Sequence, residues 1–135
     1  MTTIEIVENK ISLVRKYLKI CLRYQNFSRE EIENDIDRRG AVERYLFLLV
    51  QSAIDLAESF VALKNFRKPT TMSEAFHILE EEGIIDTELS QKMIQMTGFR
   101  NIIVHSYDKI DYEVLYDILQ NGTNDIENFL EIIEN

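Results

Sequence analysis

One stretch of the sequence, residues 100–107, concentrates side chains that can bind an anion and move a proton. It contains a permanent cation at Arg100, an amide at Asn101, an imidazole at His105 and a phenol at Tyr107. The imidazole titrates near neutral pH, so it can act as a general base or a general acid. The guanidinium stays charged, and its planar fork fits a phosphate group. These residue types are compatible with acid–base chemistry at a phosphate.

Helical geometry limits how these side chains can meet. At about 100° per residue, Asn101 and His105 lie about 40° apart on a helix, and Arg100 and Tyr107 lie about 20° apart. Arg100 and His105 are about 140° apart, so one straight helix does not aim both at a single atom. Two arrangements resolve this. The helix ends near His105 and frees His105 and Tyr107, or two chains each contribute groups to a common cleft.

Each of these residues also has an ordinary structural explanation. A histidine near the carboxyl end of a helix opposes the macrodipole, and an arginine on a helix is usually solvated or ion-paired. A tyrosine that follows a helix often only packs on the next loop. A structural bundle whose motif merely packs is therefore one alternative. The four residues at fixed spacing are a much rarer combination than any of them alone, which favours a functional interpretation.

The rest of the chain has the apolar spacing of amphipathic helices. Apolar residues recur every three or four positions, no run alternates as a half-buried strand does, and there are only four glycines and one proline. Helices are predicted over about residues 4–24, 29–37 with a bend near Gly40, 41–64, from a cap at Thr71 or Ser73 to Gly83, from a cap at Thr87 to His105, and from Asp111 onward with an interruption at Asn121–Thr123. This pattern predicts an all-α, up-and-down bundle of about four to six helices in a single domain, residues 1–135.

The second long helix, predicted over about Ala41 to Lys64, is apolar over most of its circumference. Such a helix has to lie at the centre of a bundle or bury a second face against another chain. It also carries two acids, Asp55 and Glu58. These either form a solvated edge or act as buried acids that pair with the arginine or histidine of residues 100–107, and the residue types alone favour neither.

The net charge of -9 argues against a coat of non-specific nucleic-acid contacts, because such contacts rest on lysine and arginine. It does not exclude a local basic site. Six basic residues lie around the second long helix: Arg38, Arg39, Arg44, Lys64, Arg67 and Lys68. Much of the acidic excess lies elsewhere, at residues 80–82 and in the tail from Asp111 to Glu134.

Disulfide, metal and membrane sites find little support in the sequence. The single cysteine, Cys21, forms no intrachain disulfide, suits a reducing cytosol, and is best explained as a small buried residue. The second histidine, His77, has no partner at ligand spacing and is expected at the surface. No signal peptide is recognisable, and the most apolar run, Tyr45–Val50, is far shorter than the ~20 residues of a membrane span. We therefore expect a cytoplasmic protein with no metal, no cofactor and no membrane contact.

Residues 100–107 resemble a known motif. The pattern Arg100-Asn101-x-x-x-His105-x-Tyr107 is similar to the R-x(4–6)-H signature of HEPN domains, in the RNxxxHxY form of the HepT-like branch. Other segments resemble that branch in their order and separation: residues 39–46, 53–57, 75–79 and 83–84. The resemblance covers most of the chain, and the flanking segments turn a moderately specific signature into a strong one.

The resemblance implies an all-α bundle that forms a homodimer and acts as a metal-independent endoribonuclease, the toxin of a two-gene, type VII-like toxin–antitoxin pair. Arg100 and His105 are then the catalytic residues, with Asn101 and Asp55 in support. The partner in that family is a minimal nucleotidyltransferase, MntA. It silences the toxin by transferring AMP to the motif tyrosine, which is Tyr107 in this sequence.

The residue chemistry is compatible with this function. RNA is cleaved without a metal ion when its 2′-hydroxyl attacks the adjacent phosphate, which requires a proton acceptor, a proton donor and a cation. One chain supplies one motif histidine, and a dimer supplies two. Asn101, one turn before His105, can orient the imidazole or bind a phosphate. AMP on Tyr107 would place charge and bulk beside Arg100 and oppose RNA entry.

A non-catalytic helical adaptor is the main alternative. The same surfaces would bind a nucleotidyltransferase or a nucleotide, and the chain would have no activity of its own. The net charge of -9 favours this alternative slightly, because free RNA should bind weakly to an acidic protein.

Overall fold

Helices form all the regular secondary structure of the computed structural model, which describes residues 2–135. The α-helices are α1 (Thr3–Leu22), α2 (Arg29–Glu33), α3 (Ile36–Leu63), α4 (Glu74–Glu81), α5 (Thr87–His105), α6 (Tyr112–Asp117) and α7 (Thr123–Glu134). A 3₁₀ turn, Tyr107–Lys109, follows α5, and a π-helical segment, Ile118–Gly122, joins α6 to α7. Because the π-helical segment makes α6 and α7 one continuous helical stretch, the described residues form six such stretches. This agrees with the predicted all-α bundle of about four to six helices.

The longest helix, α3, is the centre of the bundle. It packs against α1, α2, α4 and α5, and its side chains Leu46, Leu49, Ala53 and Leu56 are fully enclosed. The predicted central placement of this apolar helix is confirmed. By length and composition alone α3 could also cross a membrane, but 56% of its most apolar window is buried by the other helices. The core helix of a soluble bundle has the same properties.

The two ends of α4 are set by the residues that the sequence indicated. The Thr71 hydroxyl accepts a hydrogen bond from the Glu74 amide at 3.2 Å, whereas Ser73 makes no side-chain cap. Gly83 follows the helix with φ of 73°, the left-handed conformation that glycine adopts without a steric penalty. The choice between Thr71 and Ser73 is therefore resolved in favour of Thr71.

The bend expected near Gly40 was wrong. The chain instead breaks after α2 ends at Glu33, and α3 begins before Gly40, which lies inside it. The physical reason is Asp35, whose carboxylate accepts hydrogen bonds from the amides of Asp37 and Arg38 and so caps α3.

The cap predicted for α5 was displaced by one residue. Asp86 accepts a hydrogen bond from the Leu89 amide at 2.8 Å, and Thr87 is the first residue of the helix. The Thr87 hydroxyl donates instead to Glu80 at 2.9 Å. Aspartate is a better cap than threonine, because it is charged and opposes the positive end of the helix dipole.

The interruption predicted at Asn121–Thr123 takes the form of the π-helical segment rather than a loop. The Gln25 amide donates to the Leu119 carbonyl at 2.9 Å and holds this segment against the end of α1. A Cβ atom on Gly122 would lie 3.1 Å from the Met96 sulfur, so glycine allows α5 to approach closely. The segment thereby ties the tail to α5, the helix that carries residues 100–107.

Candidate active site at the end of α5

The helix α5 ends at His105, so Arg100 and His105 both remain on it, about 140° apart, and only the residues after His105 leave the helical spacing. Ser106 leaves the helix with φ of -146°, and its amide donates to the Ile102 carbonyl at 2.8 Å. Tyr107 then lies in the 3₁₀ turn, so its side chain no longer follows the spacing of α5. The predicted helix end near His105 is confirmed, but it frees Tyr107 and not His105 from the helical spacing, so it does not by itself bring Arg100 and His105 to one atom.

A chain of hydrogen bonds fixes the Arg100 guanidinium to α3. Its Nε donates to the Gln51 side-chain oxygen at 2.7 Å, and the Gln51 amide nitrogen donates to the Asp55 carboxylate at 3.0 Å. An amide suits this position because it accepts from the guanidinium and donates to the carboxylate. Arg100 is therefore held from one side, and it keeps free N–H groups for an anion.

The sequence left open whether Asp55 forms a solvated edge or pairs with the arginine or histidine, and the structure shows no direct pairing. Asp55 reaches Arg100 only through Gln51, because the amide occupies the space next to the guanidinium. Within residues 2–135, Glu58 forms no hydrogen bond or ion pair with residues 100–107. Partial burial and the neighbouring Asp55 raise the pKa of Glu58, which places the second acid at the edge of the core.

Next to this series of hydrogen bonds, two guanidinium groups lie close to one aromatic ring. The Cζ of Arg100 is 5.6 Å from the centroid of the Phe47 ring, and the Cζ of Arg44 is 5.7 Å from it. Both distances allow a cation–π interaction, which favours positive charge over the ring face. Phe47 thus supports two cations at one place in a protein of net charge -9.

Of the two roles considered for Asn101, a hydrogen bond to the imidazole is not seen, and phosphate binding stays a prediction. The Asn101 side-chain oxygen accepts from Nη1 of Arg100 at 2.9 Å, so Asn101 orients the guanidinium instead. The His105 imidazole is exposed, and within residues 2–135 it makes no hydrogen bond and no ion pair. An imidazole in this state is accessible to a substrate proton.

The Tyr107 phenol donates a hydrogen bond to Oε1 of Glu43, a buried carboxylate on α3. The Tyr112 hydroxyl donates to the other carboxylate oxygen at 2.7 Å. The hydrogen bond to Glu43 raises the pKa of Tyr107, and burial, followed by the same carboxylate, raises that of Tyr112 to about 12. Glu43 therefore holds both phenols in the neutral, proton-donating form.

A groove of about 420 Å³ lies next to Tyr107 and Phe47, whereas Arg100, Asn101 and His105 do not line it. Its walls come from α3 and from the end of α5: Gly40, Glu43, Arg44, Phe47, Ile103, Val104 and Tyr107. A larger cleft of about 760 Å³ lies near α7, but none of residues 100–107 lines it. The groove is therefore the cavity that belongs to the candidate site.

Neither Cys21 nor the second histidine, His77, contributes to this site. Cys21 is buried, and burial raises the pKa of its thiol to about 12, which keeps it protonated and unreactive. His77 is exposed on α4. Across residues 2–135, no three His, Cys, Asp or Glu side chains are grouped so that they could hold a metal ion.

Known proteins resemble this chain in both sequence and fold. A sequence profile of the family Ribonuclease HepT-like matches residues 8–133. The chain belongs to this family. The HepT-like chain is 33% identical over 113 residues to the tRNA nuclease HepT of Aphanizomenon flos-aquae, which covers 82% of this chain and 77% of that protein. It is 25% identical over 131 residues to the mRNA nuclease HepT of Shewanella oneidensis, and the alignment covers 96% of this chain and 97% of that protein.

Solved structures confirm the fold of the HepT-like chain. A tri-AMPylated HEPN toxin of Shewanella oneidensis, in complex with MNT antitoxin, matches with a TM-score of 0.86 at 23% identity and covers 99% of this chain and 98% of that one. A toxin–antitoxin structure with AMP-PNP gives a TM-score of 0.85 at 22% identity, with coverage of 98% and 99%. The expected HEPN-like architecture is therefore correct.

Sequence reasoning missed two residues of the site, Glu43 and Gln51. A signal was present, because Glu43, Phe47, Gln51 and Asp55 follow one another at intervals of four residues. That interval places them along one face of a helix. A polar stripe on an otherwise apolar helix indicates contacts with polar groups elsewhere in the fold. The sequence did not indicate that their partners are Arg100 and Tyr107, because these residues lie far away along the chain.

The shared carboxylate predicts an unusual titration of two phenols. In NMR titrations followed at the ring signals, we expect Tyr107 and Tyr112 both to show a pKa above the ordinary value of 10.0. The pKa of Tyr112 should be about 12. Glu43→Gln removes the charge and should lower both pKa values, whereas Glu58→Gln on the same helix should leave both unchanged. Since the folded-state pKa values are raised, the associated stability is present below pH 10 and is lost as the pH rises toward 12. Unchanged titration in Glu43→Gln would contradict this assignment.

Proposed function

We propose that this HepT-like protein is an endoribonuclease toxin that cleaves RNA without a metal ion, at a site shared by two copies of the chain. The observation that carries the proposal is a fixed cation on the helix that ends in an unpaired imidazole. Gln51 and Asn101 hold Arg100, while His105 at the end of the same helix is exposed and unpaired within residues 2–135. Two relatives named as a tRNA nuclease and an mRNA nuclease support RNA as the substrate class.

The proposed reaction is attack of an RNA 2′-hydroxyl on the adjacent phosphorus. A neutral His105 accepts the hydroxyl proton while the bond from the 2′-oxygen to phosphorus forms. A protonated imidazole donates to the 5′-oxygen as its bond to phosphorus breaks. Arg100 binds the phosphate oxygens while negative charge grows on them. The products are one RNA with a 2′,3′-cyclic phosphate and one with a free 5′-hydroxyl.

The need for two imidazoles supports a homodimer. One chain supplies one motif histidine, while the reaction uses a base and an acid together. Ile102 and Val104, on either side of the end of α5, are exposed apolar side chains, and so is Ile36 at the start of α3. Covering them with the same surface of a second copy would remove apolar area from water and bring two His105 side chains to one cleft.

We further propose that a MntA-type nucleotidyltransferase is the antitoxin partner and that it transfers AMP to Tyr107. A solved HEPN toxin of the same fold is AMPylated and bound to an MNT antitoxin. All six tyrosines lie in the described part of this chain, and Tyr107 is the exposed one, at 56%. An AMP group there would place a negative phosphate at the groove beside the catalytic residues and oppose RNA entry.

A non-catalytic adaptor is the second candidate function, and the net charge of -9 favours it. In that case the same groove would bind the nucleotidyltransferase or a nucleotide. Both candidates place the protein in the cytoplasm, where both RNA and nucleotides are present. Expression of the chain alone separates them, because a nuclease toxin stops growth and an adaptor does not.

We expect Arg100→Ala and His105→Ala each to lower RNA cleavage by the purified protein about 10²- to 10⁴-fold, because each removes a group that acts on the reacting phosphate. Circular dichroism should show unchanged helicity. The matched control is His77→Ala, which removes the other exposed histidine and should cleave like the wild type. Cleavage that survives both changes at residues 100 and 105 would show that the nuclease site lies elsewhere.

We expect Val104→Glu to convert the dimer to a monomer and to abolish cleavage, since a charge would be buried in the proposed interface. Ile132→Glu is the matched control, because Val104 and Ile132 are similarly exposed, at 45% and 38%, and Ile132 lies on α7. Sedimentation measures the oligomeric state of each variant. A wild-type monomer with full activity would contradict the shared site.

Mass spectrometry after co-expression with the nucleotidyltransferase should show AMP-sized increments on a peptide that contains Tyr107. The increments should vanish in Tyr107→Phe and persist in Tyr112→Phe, because the Tyr112 ring is partly buried. An increment that persists in Tyr107→Phe would place the modification on another residue.

A further inference from the structure

The phenol of Tyr107 is bonded to a carboxylate that takes no part in the proposed RNA reaction. Glu43 is only 4% exposed, and its two oxygens accept hydrogen bonds from Tyr107 and Tyr112. A carboxylate enclosed to this degree is stable only when its oxygens are bonded, and the two phenols satisfy that condition. Arg39, one turn earlier on α3, is the nearby cation and partly offsets the negative charge.

We propose that Glu43 is the general base for nucleotide transfer to Tyr107, an inference that rests on the modification proposed above. The carboxylate already binds the phenolic hydrogen, so it touches the atom that would attack the nucleotide. A phenol oxygen also has lone pairs, and the hydrogen bond to Glu43 leaves these available for a bond to phosphorus. The exposed ring of Tyr107 allows a nucleotide held by another protein to approach.

The step is a substitution at the α-phosphorus of a nucleoside triphosphate that the nucleotidyltransferase supplies. The Tyr107 oxygen forms a bond to the α-phosphorus while the bond from that phosphorus to the bridging oxygen of the β-phosphate breaks. Pyrophosphate leaves, and the phenolic proton passes to Glu43 and then to water. The product is a tyrosyl phosphodiester, and no atom is oxidised or reduced.

The surroundings of Tyr107 fit a base that acts during the attack. A phenol ionised in advance would need a lowered pKa, whereas the hydrogen bond to Glu43 raises the pKa of Tyr107. Removing the proton as the bond to phosphorus forms avoids a phenolate next to a carboxylate. Glu43 therefore matches concerted proton removal and not prior ionisation.

Two tyrosines donate to the Glu43 carboxylate, and they differ in how exposed they are. Tyr112 donates to Glu43 as Tyr107 does, but its ring is partly buried against the bundle. Its hydroxyl fixes the second oxygen and so orients the first oxygen toward Tyr107. We assign Tyr112 as a positioning residue for Glu43 and Tyr107 as the acceptor of the nucleotide.

The test measures the rate of AMP addition to the full-length chain by the purified nucleotidyltransferase with ATP, followed by intact-protein mass spectrometry. Glu43→Gln should lower the maximal rate about 10²- to 10⁴-fold, with little change in the KM for ATP. The amide can still accept from one phenol and donate to the oxygen of the other, which favours retention of the fold. Glu58→Gln on the same helix is the matched control and should be modified at the wild-type rate.

Circular dichroism and binding of the nucleotidyltransferase should match the wild type in every variant. If Glu43→Gln unfolds, the measurement is made with Tyr112→Phe, which keeps the carboxylate, frees one oxygen and should lower the modification rate moderately. In that arm a wild-type rate would contradict the positioning of Glu43 by Tyr112 and overturn the account of the base.

The outcomes separate this inference from the proposed function. A wild-type chain that gains AMP on Tyr107 while Glu43→Gln gains it equally fast, or faster, would overturn the role of Glu43 alone. A faster rate would mean that the carboxylate shields the phenol. A wild-type chain that gains no AMP on Tyr107 would overturn the modification itself, and the role of Glu43 with it.

Discussion

A polar side chain buried on an apolar helix has to be hydrogen-bonded, and the partners of the α3 polar residues determine the site. Gln51 bonds Arg100, and Glu43 bonds Tyr107. Because α3 lies at the centre of the bundle, these contacts connect the motif to the best-enclosed element of the fold. A site supported by a core helix keeps its geometry better than one supported by loops.

The end of α5 divides the motif between two tasks. Arg100 remains on the helix and is oriented for an anion, while His105 terminates the helix and stays free to exchange a proton. Tyr107, beyond the helix end, turns back to α3 and meets Glu43. Tyr107 lines a groove of about 420 Å³ together with Phe47, whose ring also contacts the Arg100 guanidinium, so the groove connects the two parts of the motif through α3.

Local sequence patterns predicted the bundle, the central helix and the motif, because apolar spacing and capping act over a few residues. They failed at Gly40, where a glycine was given more weight than the cap at Asp35. They also failed for the supporting contacts. Gln51 and Arg100 are 49 residues apart, and Glu43 and Tyr107 are 64 apart. Such contacts follow from how helices pack, which residue spacing does not specify.

If α3 holds Arg100 in place for phosphate binding, the effects of changing Gln51 and Arg100 on RNA affinity are coupled, and a double-mutant cycle measures this coupling. RNA affinity is measured by fluorescence anisotropy in a His105→Ala background, where RNA stays intact, for Gln51→Ala, Arg100→Ala and both together. We expect Gln51→Ala to weaken binding about 10-fold when Arg100 is present, because one hydrogen bond to a charged group is lost, and to have no effect when Arg100 is absent. Equal effects of Gln51→Ala in both backgrounds would contradict this expectation.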